Sequence, residues 1–208
     1  MPELSQWIST SRPLTTPRPV MTLAPGTSSS YWPDPKRSAS SPSFNLNDVA
    51  TNYASITKRS GSPLLNRGSQ SRQPPGSTFK VITASAAIQD DVATPATRFV
   101  DTGSYVVNGI AIRNFGGAIF GRHDLRFALT HSVNTTFARL GVELGPDRLG
   151  DRMDAFGFGQ RPPLTDLPPS EIQASGRFRG TTILSNSQRG EDVARIAIGQ
   201  ERVLATPL

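Results

Sequence analysis

The sequence predicts a mixed α/β fold in which helices outweigh strands. An apolar, alanine-rich run follows Ser77 and favours a helix. An Asn108-Gly109 pair separates two runs rich in β-branched residues, which is a strong signal for a hairpin. Apolar residues after Asp124 recur at helical spacing. These three observations place helices before and after a pair of strands.

Composition excludes several classes of function. The chain has 208 residues, 36% of them hydrophobic, which is enough for one domain with a core. Its net charge of +6 comes from basic residues that are scattered along the chain, so we expect no nucleic-acid partner. The absence of cysteine excludes disulfides, thiolate metal sites and thiol catalysis. With only two histidines, a histidine-rich metal site is not expected either.

The first ~44 residues differ in composition from the rest, being dominated by Ser, Thr and Pro without hydrophobic periodicity. They contain no apolar run of the ~20 residues that a membrane span requires. We interpret residues 1–39 as a disordered or non-homologous N-terminal segment and expect folded structure from about residue 40.

The stretch around Ser77 is predicted to begin a buried helix. A short helix over residues 49–56, capped by Asn47-Asp48, precedes it. Pro74-Pro75-Gly76 then forbids helix upstream of Ser77. No charge follows Lys80 before Asp90, so the new helix is apolar nearly all round and is expected to be buried.

Ser77 and Lys80 stand one helical turn apart and share a face. A serine hydroxyl is a weak nucleophile until a base takes its proton, and a lysine in a dry site can lose its own proton and serve as that base. The ordinary alternative is a serine cap followed by a solvated lysine.

Residues 100–113 are predicted to form a hairpin that turns at Asn108-Gly109. Within it, Asp101-Thr102-Gly103 matches the active-site triplet of aspartic proteases, in which two aspartates share a proton. A single triplet would require a symmetric dimer. The alternative is a turn at the start of a strand.

A second polar pair lies where two helices are expected to meet. Asp124 can cap a helix that runs on towards Gly141, where we expect it to end. Ser132 and Asn134 lie two residues apart, so in an extended or turn conformation both face the same cleft. One could relay a proton while the other donates its amide to a substrate carbonyl. An ordinary polar loop between helices is the alternative.

Together these motifs resemble a known family. Ser77-x-x-Lys80 followed by Ser132-x-Asn134 resembles the first two motifs of penicillin-binding proteins and serine β-lactamases. The surrounding residues are similar to a class B (monofunctional) penicillin-binding protein from about residue 40 to residue 208. They are Pro74-Pro75-Gly76, Asn108-Gly109, Arg113-Asn114, Phe156-Gly157-Phe158-Gly159, Ile198-Gly199-Gln200 and Thr206-Pro207-Leu208.

The resemblance implies a penicillin-binding/β-lactamase-like transpeptidase fold and D,D-transpeptidation through a serine acyl-enzyme. It implies that Ser77 attacks the substrate carbonyl, Lys80 takes its proton, Ser132 shuttles the proton to the leaving amine and Asn134 holds the substrate amide. It implies no metal and no cofactor.

The resemblance also implies partners and a location. The substrates would be peptidoglycan stem peptides, and β-lactams would be covalent inhibitors. The full-length parent would work in a cell-wall synthesis complex on the extracytoplasmic side of the bacterial cytoplasmic membrane, and the sequence shows no anchor for it.

One motif of the family is not found. The third, Lys-Thr/Ser-Gly, should follow Asn134, but the only lysines are Lys36, Lys58 and Lys80. We therefore expect residues 40–208 to be a partial transpeptidase domain, mostly the helical subdomain, with the C-terminal part of the central sheet missing.

Two alternative functions stay open. The chain could be a catalytically inactive relic or binding module of the same fold. More remotely, it could use Asp101 in the manner of an aspartic protease.

Overall fold

The computed structural model describes residues 40–187, 189–190 and 192–207. The expectation of disorder over residues 1–39 lies outside this range. None of the helices in the described part of the chain has the length and apolar character needed to cross a membrane.

Six α-helices occur in the described residues, and three of them enclose the core. They are α1 (Val49–Thr57), α2 (Arg67–Gln70), α3 (Lys80–Gln89), α4 (Leu125–Thr130), α5 (Asn134–Ala155) and α6 (Val193–Ile196).

Seven short strands in the same part of the chain form three separate antiparallel sheets. Strand β1 pairs with β4, β2 pairs with β3, and β5 lies between β6 and β7. They are β1 (Arg98–Asp101), β2 (Ser104–Val107), β3 (Ile110–Arg113), β4 (Gly121–Asp124), β5 (Gly176–Arg179), β6 (Thr182–Leu184) and β7 (Val203–Leu204).

The predicted first helix is confirmed, but its cap lies earlier than expected. A short 3₁₀ turn, Leu46–Asp48, precedes α1, and the Asn45 side chain accepts a hydrogen bond from the Asn47 N–H. The Asp48 side chain makes no capping hydrogen bond. The cap therefore serves the 3₁₀ turn rather than the α-helix itself.

The helix expected near Ser77 begins with a 3₁₀ turn, Gly76–Phe79, which leads directly into α3. The prediction that this helix is buried nearly all round is only partly correct. Its polar Thr83 and its alanines are buried, whereas Val81 and Ile88 are exposed. The buried face of α3 packs against α4 and α5, whereas the residues on its other side remain in contact with solvent.

The hairpin turn is confirmed and the hairpin's first residues are corrected. Asn108 and Gly109 both have positive φ, 50° and 76°, as a two-residue type I′ turn requires between β2 and β3. Residues 100 and 101, however, belong to β1, which pairs with β4. Asp101 therefore stands at the end of a different strand, not inside the hairpin.

The prediction for Asp124 is confirmed, since its side chain accepts a hydrogen bond from the Phe127 N–H and caps α4. The prediction that Gly141 ends the next helix is wrong. Helix α5 continues to Ala155, with a break in its dihedral angles at Gly145. Gly141 instead provides room, because a Cβ atom there would overlap Ala197 and lie 2.8 Å from the Val193 carbonyl oxygen.

The core lies where α3, α5 and α6 meet. The apolar side chains of α5 that recur at helical spacing, Phe137, Leu140 and Leu144, are buried there. The Thr83 hydroxyl donates to the Ala197 carbonyl at 2.7 Å and ties α3 to α6. The nucleophile-bearing turn is thus attached to a well-packed helix rather than to a free loop.

We predict that Gly141→Ala destabilises the chain although alanine is the better helix former. The added methyl group has no space between α5 and α6, and overpacking costs about 2 kcal/mol. Urea unfolding measures the loss. Val142→Ala is the control, because Val142 is exposed on the same helix and should change stability by less than about 0.5 kcal/mol. Equal stability of Gly141→Ala and the parent would contradict the tight α5–α6 contact.

Candidate active site

The turn that carries Ser77 is fixed by a backbone contact with a distant segment. The Gly76 N–H donates to the Gly199 carbonyl at 2.9 Å. A Cβ atom on Gly199 would overlap the Gly76 carbonyl oxygen, so the two backbones can meet only because position 199 is glycine. Ser77 itself is exposed to solvent at the start of the turn.

Lys80 lies beneath Ser77, with only 1% of its surface exposed. Its Nζ atom is 3.2 Å from the Ser77 Oγ and 2.6 Å from the Asn134 Oδ1. It also lies 2.7 Å from the Ser132 carbonyl oxygen and 2.9 Å from the Ser132 Oγ. An ammonium has only three hydrogens, so it cannot donate to all four oxygens at once. The longest contact, to the Ser77 Oγ, is the one that can most easily reverse its direction, with the hydroxyl donating to the amine.

Burial lowers the pKa of Lys80 to about 8. The cause is desolvation, which disfavours the charged form, and no acidic side chain of the described residues forms an ion pair with Lys80 to oppose it. One apolar neighbour, Phe137, places its ring centroid 5.7 Å from Nζ. A useful fraction of Lys80 is therefore neutral near pH 7 and can accept a proton.

Ser132 lies in a backbone conformation that usually requires glycine. Helix α4 ends in a Schellman motif, in which the Ser132 N–H donates to the Leu129 carbonyl and the Val133 N–H to the Ala128 carbonyl. Ser132 occupies its left-handed position, with φ of 56°. This conformation costs an L-residue about 1 kcal/mol, and it turns the side chain and the carbonyl of Ser132 towards Lys80.

Asn134 begins α5 and is held at both ends of its amide. Its Oδ1 accepts from Lys80, and its Nδ2 donates to the Arg113 carbonyl at 2.9 Å. These two bonds fix which way the amide points.

The structure brings together all four residues that the sequence singled out. The Ser132 Oγ donates to the Ser77 Oγ at 2.8 Å, which closes a triangle of two hydroxyls and one amine. Within it a proton can pass directly between any two members. Neither ordinary alternative applies, because Lys80 is not solvated and the 132–134 loop faces Ser77.

A cavity of about 640 Å³ opens above this triangle. Its lining includes Ser77, Ser132 and Asn134, and its far wall carries Phe115, Phe120 and His131. A smaller cavity of about 360 Å³ lies beside Asp101 and does not include the triangle. The larger cavity is therefore the one in which a substrate can reach the nucleophile.

Asp101 does not contribute to this cavity. Its carboxylate is 3% exposed and accepts hydrogen bonds from four protein groups. A catalytic aspartate must be free to contact water and substrate, whereas both oxygens of this one already accept hydrogen bonds from protein groups. The described residues also contain no group of three histidine, aspartate or glutamate side chains that could hold a metal.

Sequence reasoning missed three groups that contact Lys80 or Asn134. They are the Ser132 carbonyl, the Arg113 carbonyl and the Phe137 ring. Phe137 lies one turn after Asn134 on α5, so helical spacing could have found it. The two carbonyls leave no trace in side-chain patterns, because every residue has one.

Comparisons with known proteins agree with this geometry. The penicillin binding protein transpeptidase domain matches residues 37–208. The peptidoglycan D,D-transpeptidase PbpA of Mycolicibacterium smegmatis is 34% identical over 181 residues, which make up 80% of this chain and 36% of that protein.

Solved structures show the same similarity. Penicillin-binding protein A from M. tuberculosis, as a penicillin G acyl-enzyme complex, is 30% identical with a TM-score of 0.67, over 81% of this chain and 39% of that one. The complex between penicillin-binding protein PBP2 and MreC from Helicobacter pylori is 25% identical with a TM-score of 0.69, over 81% and 33%.

The chain spans about a third of the length of these relatives. The match over residues 37–208 nevertheless covers most of the sequence, and the expected transpeptidase fold is confirmed by the solved structures. The chain belongs to the penicillin-binding protein transpeptidase family.

Proposed function

We propose that this chain carries the acylating part of a peptidoglycan D,D-transpeptidase, with Ser77 as nucleophile, Lys80 as base, Ser132 as proton relay and Asn134 as substrate-binding amide. The observation that carries the proposal is the closed triangle of Ser77, Lys80 and Ser132 at the floor of an open cavity.

In the first step, the Ser77 Oγ attacks the carbonyl that precedes a terminal D-alanine, while the neutral Lys80 amine takes the hydroxyl proton. A C–O bond forms and the carbonyl oxygen becomes an oxyanion. Deprotonation is favoured by the buried position of the amine, whose Nζ lies within hydrogen-bond distance of the Ser77 Oγ.

In the second step, the C–N bond breaks and D-alanine leaves with a proton. Ser132 can deliver this proton, because its hydroxyl contacts both Lys80 and Ser77. The hydroxyl can donate to the nitrogen of the leaving D-alanine while it accepts a hydrogen bond from the Lys80 Nζ. An amine from a neighbouring stem peptide then attacks the acyl-enzyme by the reverse route. No metal or cofactor is needed for either step.

Asn134 would hold the substrate amide during both steps. Asn134 lines the cavity, and its Oδ1 is engaged by Lys80. A substrate carbonyl could accept from the Asn134 Nδ2, which now donates to the Arg113 carbonyl.

The family match over residues 37–208 supports residues 40–208 as the transpeptidase segment. We place the full-length protein on the extracytoplasmic side of the membrane, where its peptidoglycan substrate is cross-linked. The Helicobacter pylori complex with MreC supports a cell-wall synthesis complex as its partner.

One observation favours a second candidate. No lysine follows Lys80 within these 208 residues, so they do not include the Lys-Thr/Ser-Gly motif that the family uses for the substrate carboxylate. A non-catalytic module of the same fold would share this feature, and the experiment below separates the two.

We predict that excess benzylpenicillin adds one penicillin mass to the chain, and that Ser77→Ala abolishes the gain. A β-lactam mimics the acyl donor and remains bound as an ester of the serine. Intact-mass spectrometry checks both proteins. Absence of any gain in a chain that is folded by circular dichroism would reject catalysis and leave the non-catalytic module.

The acylation rate is expected to rise with pH. Only the neutral Lys80 amine can accept the Ser77 proton, and with a pKa of about 8 its neutral fraction grows about tenfold per pH unit below pH 7. The rate should level off above pH 8.5, within about a unit. Rapid-quench mass spectrometry from pH 6 to pH 9.5 measures it, with Ser77→Ala as the blank for non-enzymatic reaction. A rate that stays flat or falls across this range would argue against Lys80 as the base.

Ser132→Gly and Ser132→Ala should be equally impaired in acylation but unequal in stability. Both lose the relaying hydroxyl, whereas only glycine relieves the left-handed backbone. Urea unfolding should show Ser132→Gly to be the more stable of the two by about 1 kcal/mol. If the glycine variant acylates like the parent, Ser132 acts through its backbone and not through its hydroxyl.

A further inference from the structure

Asp101 is a buried carboxylate without a cation. It accepts hydrogen bonds from the N–H groups of Gly103 and Phe120, each at 2.8 Å. It also accepts from the Asn114 Nδ2 at 2.8 Å and the Thr135 Oγ1 at 2.7 Å. No basic side chain of the described residues pairs with it. A buried charge of this kind is costly unless it is fully hydrogen-bonded, as it is here.

The carboxylate stays ionised in spite of its burial. Burial alone would raise the pKa of Asp101, but the hydrogen bonds from Phe120, Thr135, Gly103 and Asn114 together lower it below its ordinary value. Asp101 is therefore a fixed acceptor at the pH at which Lys80 changes its charge.

Two of the four residues that donate to Asp101 are adjacent in sequence to Asn134 or to the residue whose carbonyl holds it. Thr135 follows Asn134 directly in α5, and Asn114 follows Arg113, whose carbonyl accepts from the Asn134 Nδ2. Asn114 and Thr135 are also joined to each other, since the Thr135 N–H donates to the Asn114 Oδ1 at 3.2 Å.

The same carboxylate reaches the wall of the cavity. Asp101 accepts a hydrogen bond from the Phe120 N–H, and the Asn114 Nδ2 donates to the Ala118 carbonyl. These two bonds fix the loop between β3 and β4, which lines the cavity together with Ser77. One anion thus joins the end of β3, this loop and the first turn of α5.

We infer that Asp101 is a positioning residue, which acts through Thr135 and Asn114 to hold Asn134 against Lys80. This inference rests on the proposed function for its effect on acylation, but the positions of Asn134 and Lys80 can be tested without it. The Asp-Thr-Gly triplet then has a role at the site without any protease chemistry.

A direct Asp101→Asn exchange would confound positioning with stability, because the amide NH₂ would replace an oxygen that accepts from two donors and would leave both unpaired in a buried site. Two adjacent threonines provide a better test. Thr135 and Thr136 both lie in the first turn of α5 and are both buried. The Thr135 hydroxyl bonds to Asp101, whereas the Thr136 hydroxyl bonds to the His123 Nε2 at 2.8 Å.

Benzylpenicillin acylation should slow about tenfold in Thr135→Val, the cost of one charge-assisted hydrogen bond. Thr136→Val should stay within about twofold of the parent, although it loses one buried hydroxyl bond as well. Thr135→Ser keeps the bond to Asp101 and should recover most of the rate. Thr135→Ala and Thr136→Ala repeat the comparison if a valine variant does not fold.

The second readout does not depend on catalysis. The chain has three lysines, so NMR of protein labelled with ¹³C at the lysine Cε resolves the titration of Lys80. The Asn134 Oδ1 accepts a hydrogen bond from the Lys80 ammonium and so favours the charged form of Lys80. If Asn134 is held less firmly, this contribution is weakened. The pKa of Lys80 should therefore fall in Thr135→Val and stay unchanged in Thr136→Val and Thr135→Ser.

Each outcome decides the matter. A lower Lys80 pKa in Thr135→Val alone supports the inference, even if penicillin acylates none of the proteins and the proposed function fails. Equal effects in Thr135→Val and Thr136→Val, in rate and in titration, would overturn it. So would a Thr135→Val protein that acylates and titrates like the parent.

Discussion

The burial of one amine without a counter-ion is the constraint on which the rest of the site depends. Lys80 gives up its hydration, and no carboxylate in the part of the chain that the structure describes compensates for the loss. Its four oxygen contacts come instead from Ser77, Ser132 and Asn134. A carboxylate in their place would have kept the amine charged. Neutral oxygens leave its pKa low enough for a fraction of the amine to be neutral near pH 7, and they still hold it in one position, which is what a base needs.

Those oxygens are supplied by parts of the chain that lie far apart in sequence, so the fold has to bring them to one place. Helix α4 ends in a motif that turns Ser132 inwards, and the end of β3 orients the Asn134 amide. The anion of Asp101 ties the end of β3 to the first turn of α5. The active groups are therefore positioned by backbone geometry and by buried polar contacts, while the apolar core supports α3 and α5 beneath them.

Much of this could be predicted from local sequence. The hairpin turn at Asn108-Gly109, the cap at Asp124 and the start of the helix near Ser77 each depend on residues within one turn of the event. The motifs also identified the four groups of the site. What failed depends on distant partners: strand β1 pairs with β4 rather than within the hairpin, and Gly141 is set by its contact with α6. In the sequence alone, a glycine predicts the end of a helix, because the conformational freedom of its backbone is known from the residue type. The neighbour against which it packs is known only once the fold is known.

The contact between Gly76 and Gly199 has a mechanical meaning. Two backbones that meet without side chains between them have no rotatable group to take up a displacement. A side chain added at position 199 would therefore displace the turn that carries Ser77. The position of the serine depends in this way on the segment between α6 and β7, more than a hundred residues further along the chain.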